Sequence, residues 1–167
     1  KRVQEHWGRE FPDLNLEFDV PFRELGFFGV PHKSNVFLMP TIHCIVELTE
    51  MPPTVIPIED IEIVNLERVG FNLKNFDVAI IFKDFEKEVL RIDTVPSNYL
   101  DGLKEWMTSV KLKYYETKMN LIWKQILKNI VEEPQTFIEN GGWSFLDMDI
   151  SDDDSDDQQE LDSEFEP

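Results

Sequence analysis

Carboxylates are the chemical group this sequence concentrates. Between Asp147 and Pro167 it carries 11 acidic residues and no basic one. Such a run could bind calcium, but the spacing refuses it. A loop begun at Asp147 puts Asp152 where the turn requires Gly and Gln158 where a bidentate Glu is needed. One begun at Asp152 puts Asp157 and Ser163 in those places. Leu161 and Phe165 interrupt the acids, so the segment offers anchors as well as charge. Ser144, Ser151 and Ser163 each precede an acid by three residues, the spacing of acid-directed phosphorylation. A phosphate there would deepen the negative charge rather than invert it.

Other reactive residues are sparse. His43 and Cys44 are adjacent, and on a strand they point to opposite faces, so one metal ion cannot easily take both. His6 and His32 show no paired-ligand spacing. No metal site is nominated. The sequence contains no G-x-S-x-G elbow, no phosphate-cradling Gly loop and no H-E-x-x-H, so no catalytic residue, cofactor or enzyme activity is assigned. Lys111, Lys113, Lys118, Lys124 and Lys128 form a local basic stretch opposed only by Glu116. Its plain reading is a solvated face, with contact to nucleic acid as the alternative.

The acids divide the chain. The whole has 34 acidic and 16 basic residues and a net charge of -18, but residues 1–146 hold 23 acids against all 16 bases, a charge of only -7. A globular body is therefore followed by a polyanion. The polyanion has too few apolar groups to offset an ordering cost of about 1–2 kcal/mol per residue, and reads as intrinsically disordered. Excess negative charge disfavours DNA or an anionic membrane as partner and favours a cationic one. The single cysteine, Cys44, excludes an internal disulfide and fits a reducing compartment. No apolar run approaches the roughly 20 residues of a membrane span. The chain opens Lys1-Arg2-Val3-Gln4, with no initiator Met and no apolar leader, as expected of a piece of something longer.

Positioning falls to the body. Residues 1–15 are polar and read as an irregular leading segment. From Leu16 to Thr94 short apolar runs alternate with turn formers, predicting six or seven strands. Leu16–Val20 alternates cleanly. Cys44, Val46 and Leu48 share one face of a strand that Pro52-Pro53 ends. Ile61 and Ile63 share a face, after which Leu66 falls on the other, a slip that predicts a bulge. Val78–Phe82 is continuously apolar and reads as a central strand. Leu90 and Ile92 point inward. After Pro96, with Ser97 as N-cap, Leu100, Leu103, Trp106 and Met107 predict one amphipathic helix ending near Val110. Strands followed by one helix suit a small barrel with a plugged end. A linker, 112–118, leads to a second helix capped by Asn120, whose apolar arc from Leu121 to Val131 is wider than one buried stripe needs. Pro134 starts a further turn and Asn140-Gly141-Gly142 stops it.

Long stretches here resemble a known family. RELGFFGVPHKSNVFLMPT, IEIVNLERVGFNLKNFDVAIIFKDF, LKEWM and EEPQTFIENGGWSFL, in that order, are similar to the large subunit of the FACT histone chaperone. The match is to the C-terminal part of its middle domain and the start of its acidic tail, from about Phe18 to Leu146. The tail matches in character only and is shorter than the family's.

The resemblance implies an α+β fold. Residues 16–111 would form a pleckstrin-homology-like small β-barrel capped by a C-terminal helix. Residues 112–146 would form a short helical U-turn extension, and 147–167 an acidic histone-binding tail. It implies an ATP-independent chaperone acting in the nucleus, on chromatin, chiefly on the histone 2A–2B dimer. It leaves room for the histone 3–4 tetramer at the barrel, and for the smaller FACT subunit through regions outside this sequence. The residues implied for the tail are Asp152, Asp153, Asp154, Asp156, Asp157, Glu160, Asp162, Glu164, Phe165 and Glu166, with Phe165 the aromatic anchor. Those implied for the U-turn are Leu121, Trp123, Ile126, Leu127 and Ile130, for which packing on the barrel is an equal alternative. DNA would be competed with rather than bound tightly. Two rival readings stay open: a pleckstrin-homology-like scaffold that binds a peptide or ligand, its tail merely solubilising, and a headgroup-reading barrel, which the scattered bases disfavour.

Overall fold

A computed structural model describes residues 1–153 of the chain. In chain order the strands are β1 (Phe27–Gly29), β2 (Val36–Pro40), β3 (Cys44–Glu47), β4 (Thr54–Pro57), β5 (Ile61–Glu67), β6 (Asn75–Phe82), β7 (Leu90–Pro96) and β8 (Tyr114–Glu116). The helices are α1 (Arg2–Glu10), α2 (Leu100–Ser109), α3 (Trp123–Glu132) and α4 (Pro134–Glu139). The first four strands form one antiparallel sheet, and the second sheet runs β7-β6-β5-β8. The sheets join where Val30 and Asp93 exchange backbone hydrogen bonds of 2.9 and 3.0 Å.

One core fills the space between the sheets, with Phe27, Leu38, Leu66, Phe76 and Ile80 at its centre. Helix α2 closes the open end by burying Leu103, Trp106 and Met107. The Trp106 indole N–H donates to the Thr41 carbonyl at 2.9 Å, so the plug is oriented as well as packed. Two sheets rolled around one core and stoppered by a C-terminal helix make the α+β, pleckstrin-homology-like arrangement that the sequence predicts.

A second core lies outside the barrel. Strand β6 is buried on both faces, as its unbroken apolar run requires: Val78 and Ile80 point into the barrel, Ala79 and Ile81 away from it. On that outer wall Ile63, Ala79, Ile81 and Tyr115 meet Trp123, Leu127, Ile130, Trp143 and Leu146. The helical extension is thus a roof over the second sheet.

Several sequence expectations need correction. The leading segment is helical over Arg2–Glu10, because Val3, Trp7 and Phe11 recur every four residues and the two rings stack with centroids 5.3 Å apart. Leu16–Val20 joins no ladder. The Asp19 carboxylate instead accepts from the Thr41 hydroxyl and, at 3.2 Å, from the His43 backbone N–H, strapping the segment by its side chain. The bulge in β5 falls between Ile61 and Ile63, so these two face opposite cores. Ser97 does not cap α2: its hydroxyl donates to the Leu73 carbonyl at 2.7 Å, and a 3-10 turn, Ser97–Tyr99, precedes the helix. Nor does Asn120 cap α3, where Ile122 holds that position without a side-chain hydrogen bond. The expected linker contains β8, parallel to β5, with Val64 N–H donating to Lys113 O and Thr117 N–H to Leu66 O. That pairing joins distant segments, and three residues are too few to show alternation.

Candidate functional site

The roof begins at a buried carboxylate. Glu67, the last residue of β5, is 0% exposed. Its Oε1 accepts the Trp123 indole N–H at 2.6 Å and the Leu121 backbone N–H at 3.2 Å, while Oε2 takes the Arg91 guanidinium. A charge without water needs such company. Asn65 donates beside it to the Thr117 hydroxyl at 3.0 Å. The bulge at Glu62 sends a second carboxylate to the same wall, where it accepts the Trp143 indole N–H at 3.2 Å.

From Trp123 the helix runs as a ridge. Trp123, Leu127 and Ile130 turn inward and are buried, whereas Leu121 and Ile126 are half-buried on its flanks. Of the five extension residues singled out from sequence, three therefore pack on the barrel wall and two border open surface. Apolar groups that sequence reasoning left out of the site stand exposed nearby: Ile122, Val131, Ile138 and Phe145. For Ile122 and Val131 the signal was the excess width of the arc, which by itself does not say which edge stays wet; Ile138 and Phe145 lie beyond the arc.

A groove lies on each side of the ridge. One, of about 940 Å³, has Phe85, Val89 and Leu127 with Lys87, Lys124 and Lys128, and Glu86, Glu88 and Glu132 on the same rim. The other, of about 590 Å³, is lined by Ile126, Ile130, Phe137 and Phe145, and among the described residues its only charged lining residues are Glu132 and Glu133. Phe137 packs edge-on to Trp143 with centroids 5.0 Å apart, and Trp143 lies 6.2 Å from Phe145. The chain reaches this acidic, aromatic groove and then turns into its acidic run. Positive φ at Gly141 (90°) and Gly142 (61°) makes the turn, and a 3-10 stretch, Gly142–Asp153, follows.

The root of the acidic run is fixed. Leu146 is buried in the second core, and Asp147 lies close enough to Lys113 to help a hydrogen bond with Tyr115 push that lysine up. Asp152 and Asp153 lie at the end of the 3-10 stretch. Asp154, Asp156, Asp157, Glu160, Asp162, Glu164, Phe165 and Glu166 lie outside the described residues. The basic stretch is dispersed: Lys128 pairs with Glu132 at 3.8 Å, and Lys113 lies over the Tyr115 ring. Among the described residues no cluster of His, Cys, Asp or Glu could hold a metal ion, and no helix is long and apolar enough to cross a membrane.

Known proteins align with this arrangement. The family described as histone chaperone Rttp106-like, middle domain, matches residues 28–116. The chain is 56% identical, over 99% of its length, to the FACT complex subunit SPT16 of Arabidopsis thaliana. It is 46% identical, over 86%, to that of Yarrowia lipolytica. It spans 16% and 14% of those relatives' own lengths. A solved structure described as the Spt16D Pob3N heterodimer aligns over 60% of this chain and 53% of that one, with a TM-score of 0.41 and 12% identity. The matched region runs from the first barrel strand to β8, so the chain belongs to the Rttp106-like middle-domain family of histone chaperones, and along nearly its whole length it is similar to FACT complex SPT16 subunits.

Proposed function

We propose that this chain is a histone-holding part of a FACT-type chaperone, non-enzymatic and nuclear, that grips the histone 2A–2B dimer with the roof's acidic groove and the acidic run that follows it. One observation carries the reading. Among the described residues, the groove of Ile126, Phe137 and Phe145 has only Glu132 and Glu133 as charged lining residues, and the chain leaves it directly into 11 carboxylates. Histones are basic with apolar helix faces, so an apolar floor under an acidic rim complements them in both respects.

The division of labour follows from range. Charge alone gives fast, salt-sensitive and poorly oriented association. The 21 residues from Asp147 can extend to about 70 Å, enough to track the surface that DNA would otherwise occupy. An aromatic anchor at Phe165 would set the register along it. The buried members of the arc, Trp123, Leu127 and Ile130, present the groove; Ile126, Phe137 and Phe145 contact the partner. The barrel is the candidate platform for a histone 3–4 tetramer, and the smaller FACT subunit is a partner of the parent chain. No ATP is needed, because tail and DNA exchange on one surface.

Titration against a refolded histone 2A–2B dimer over a range of salt tests this. Deleting 147–167 is expected to lower both affinity and the salt slope. Phe165→Ala is expected to weaken binding about tenfold with little change in slope. Undiminished binding by the deletion would remove the tail from the mechanism.

A further inference from the structure

We propose that Glu67 is the positioning residue of the helical roof, setting how α3 is rotated and hence which of its residues face the partner. The proposal rests on the histone reading above. Apolar burial favours contact without direction, so Trp123, Leu127 and Ile130 hold α3 against the wall but tolerate small rotations and slides. A helix of 10 residues is marginal by itself and takes its placement from outside. Its first turn has no side-chain cap. What fixes it is the Glu67 carboxylate, which receives the indole N–H of the first helical residue and the backbone N–H two residues earlier. Arg91 of β7 holds the other oxygen, so the acceptor is itself immobile. Successive residues of a helix are about 100° apart, so a slip of one position would carry Ile126 out of its groove.

Trp123→Phe tests this, since it keeps an aromatic ring in the core and removes the indole N–H, together with part of the ring's volume. Glu67→Ala is the second variant. Each is measured two ways: amide exchange, comparing α3 with β6, and titration with histone 2A–2B dimer. The expected result is that α3 loses about tenfold or more of its protection while β6 keeps its own. Equal losses in both, or no loss in Trp123→Phe, would overturn the positioning role and reduce Glu67 to one stabilising group among many. If α3 loosens and affinity falls at least about fivefold, both ideas stand. If α3 loosens and affinity holds, Glu67 still positions the roof and the histone reading of the roof fails.

Discussion

Replacing Phe145 with Ala separates a docking surface from a packing one. Phe145 is 38% exposed beside the acidic groove, its ring leaning on Trp143. A Phe side chain offers roughly 150–250 Å², so roughly 60–95 Å² remains for a partner to cover. At about 25 cal/mol per Å² that is about 1.4–2.4 kcal/mol, or a 10- to 50-fold loss of affinity for the histone dimer. The part already covered would cost about 2–3 kcal/mol of folding stability, less than the roughly 3–5 kcal/mol of a fully buried Phe. Two controls bracket the result. Leu127→Ala, at a residue 6% exposed, is expected to cost about 2–5 kcal/mol of stability through the cavity it leaves. Phe71→Ala, wholly exposed in the β5–β6 loop, is expected to change neither quantity. Urea melts and fluorescence titrations of the three variants provide both readouts. Should Phe145→Ala bind within twofold of the parent, the groove is not the contact surface.

Two further expectations concern the frame. Asp77, 2% exposed, is pushed up by burial, yet hydrogen bonds from Arg68 (2.6 and 2.7 Å) and the Thr94 N–H (2.9 Å) outweigh this and hold it below its usual value. Its contribution is therefore complete above about pH 4 and is lost as pH falls through the lowered folded value. Asp77→Ala should cost about 2–3 kcal/mol at pH 7 in urea melts and flatten the acid limb of the stability curve; an unchanged acid limb would refute the assignment. At Gly29 an added Cβ would lie 2.5 Å from Ile92 Cγ2. Gly29→Ala should destabilise by about 1–3 kcal/mol in the same melts, and a neutral result would show that β1 and β7 can part more easily than their packing suggests.

Much of this architecture was legible because its signals are local. The apolar run Val78–Phe82 had to be a strand covered on both sides, and Leu103, Trp106 and Met107 had to share a helix face. What escaped depends on tertiary partners. Glu67 looks in sequence like any strand-ending acid, and only the distant arrival of Trp123 and Arg91 makes it a buried anchor. Tyr114–Glu116 becomes a strand only because α2 delivers it to the free edge of β5. The apolar arc of α3 was visible as an excess of hydrophobic residues. Which edge would be buried depended on the wall of Ile63, Ala79 and Ile81, brought together by pairing rather than proximity. Leu16–Val20 alternated like a strand but found no edge to join, and Asp19 supplied a side-chain strap instead.

The mooring of the acidic segment has a mechanical consequence. Any tug on residues past Leu146 passes first to that leucine and to Trp143, and through its indole to Glu62 on β5. That strand is no margin of the sheet: β6 lies on one flank and β8 on the other. Load is thus delivered to an interior strand, whose two flanking strands share it, rather than to an edge that could peel away.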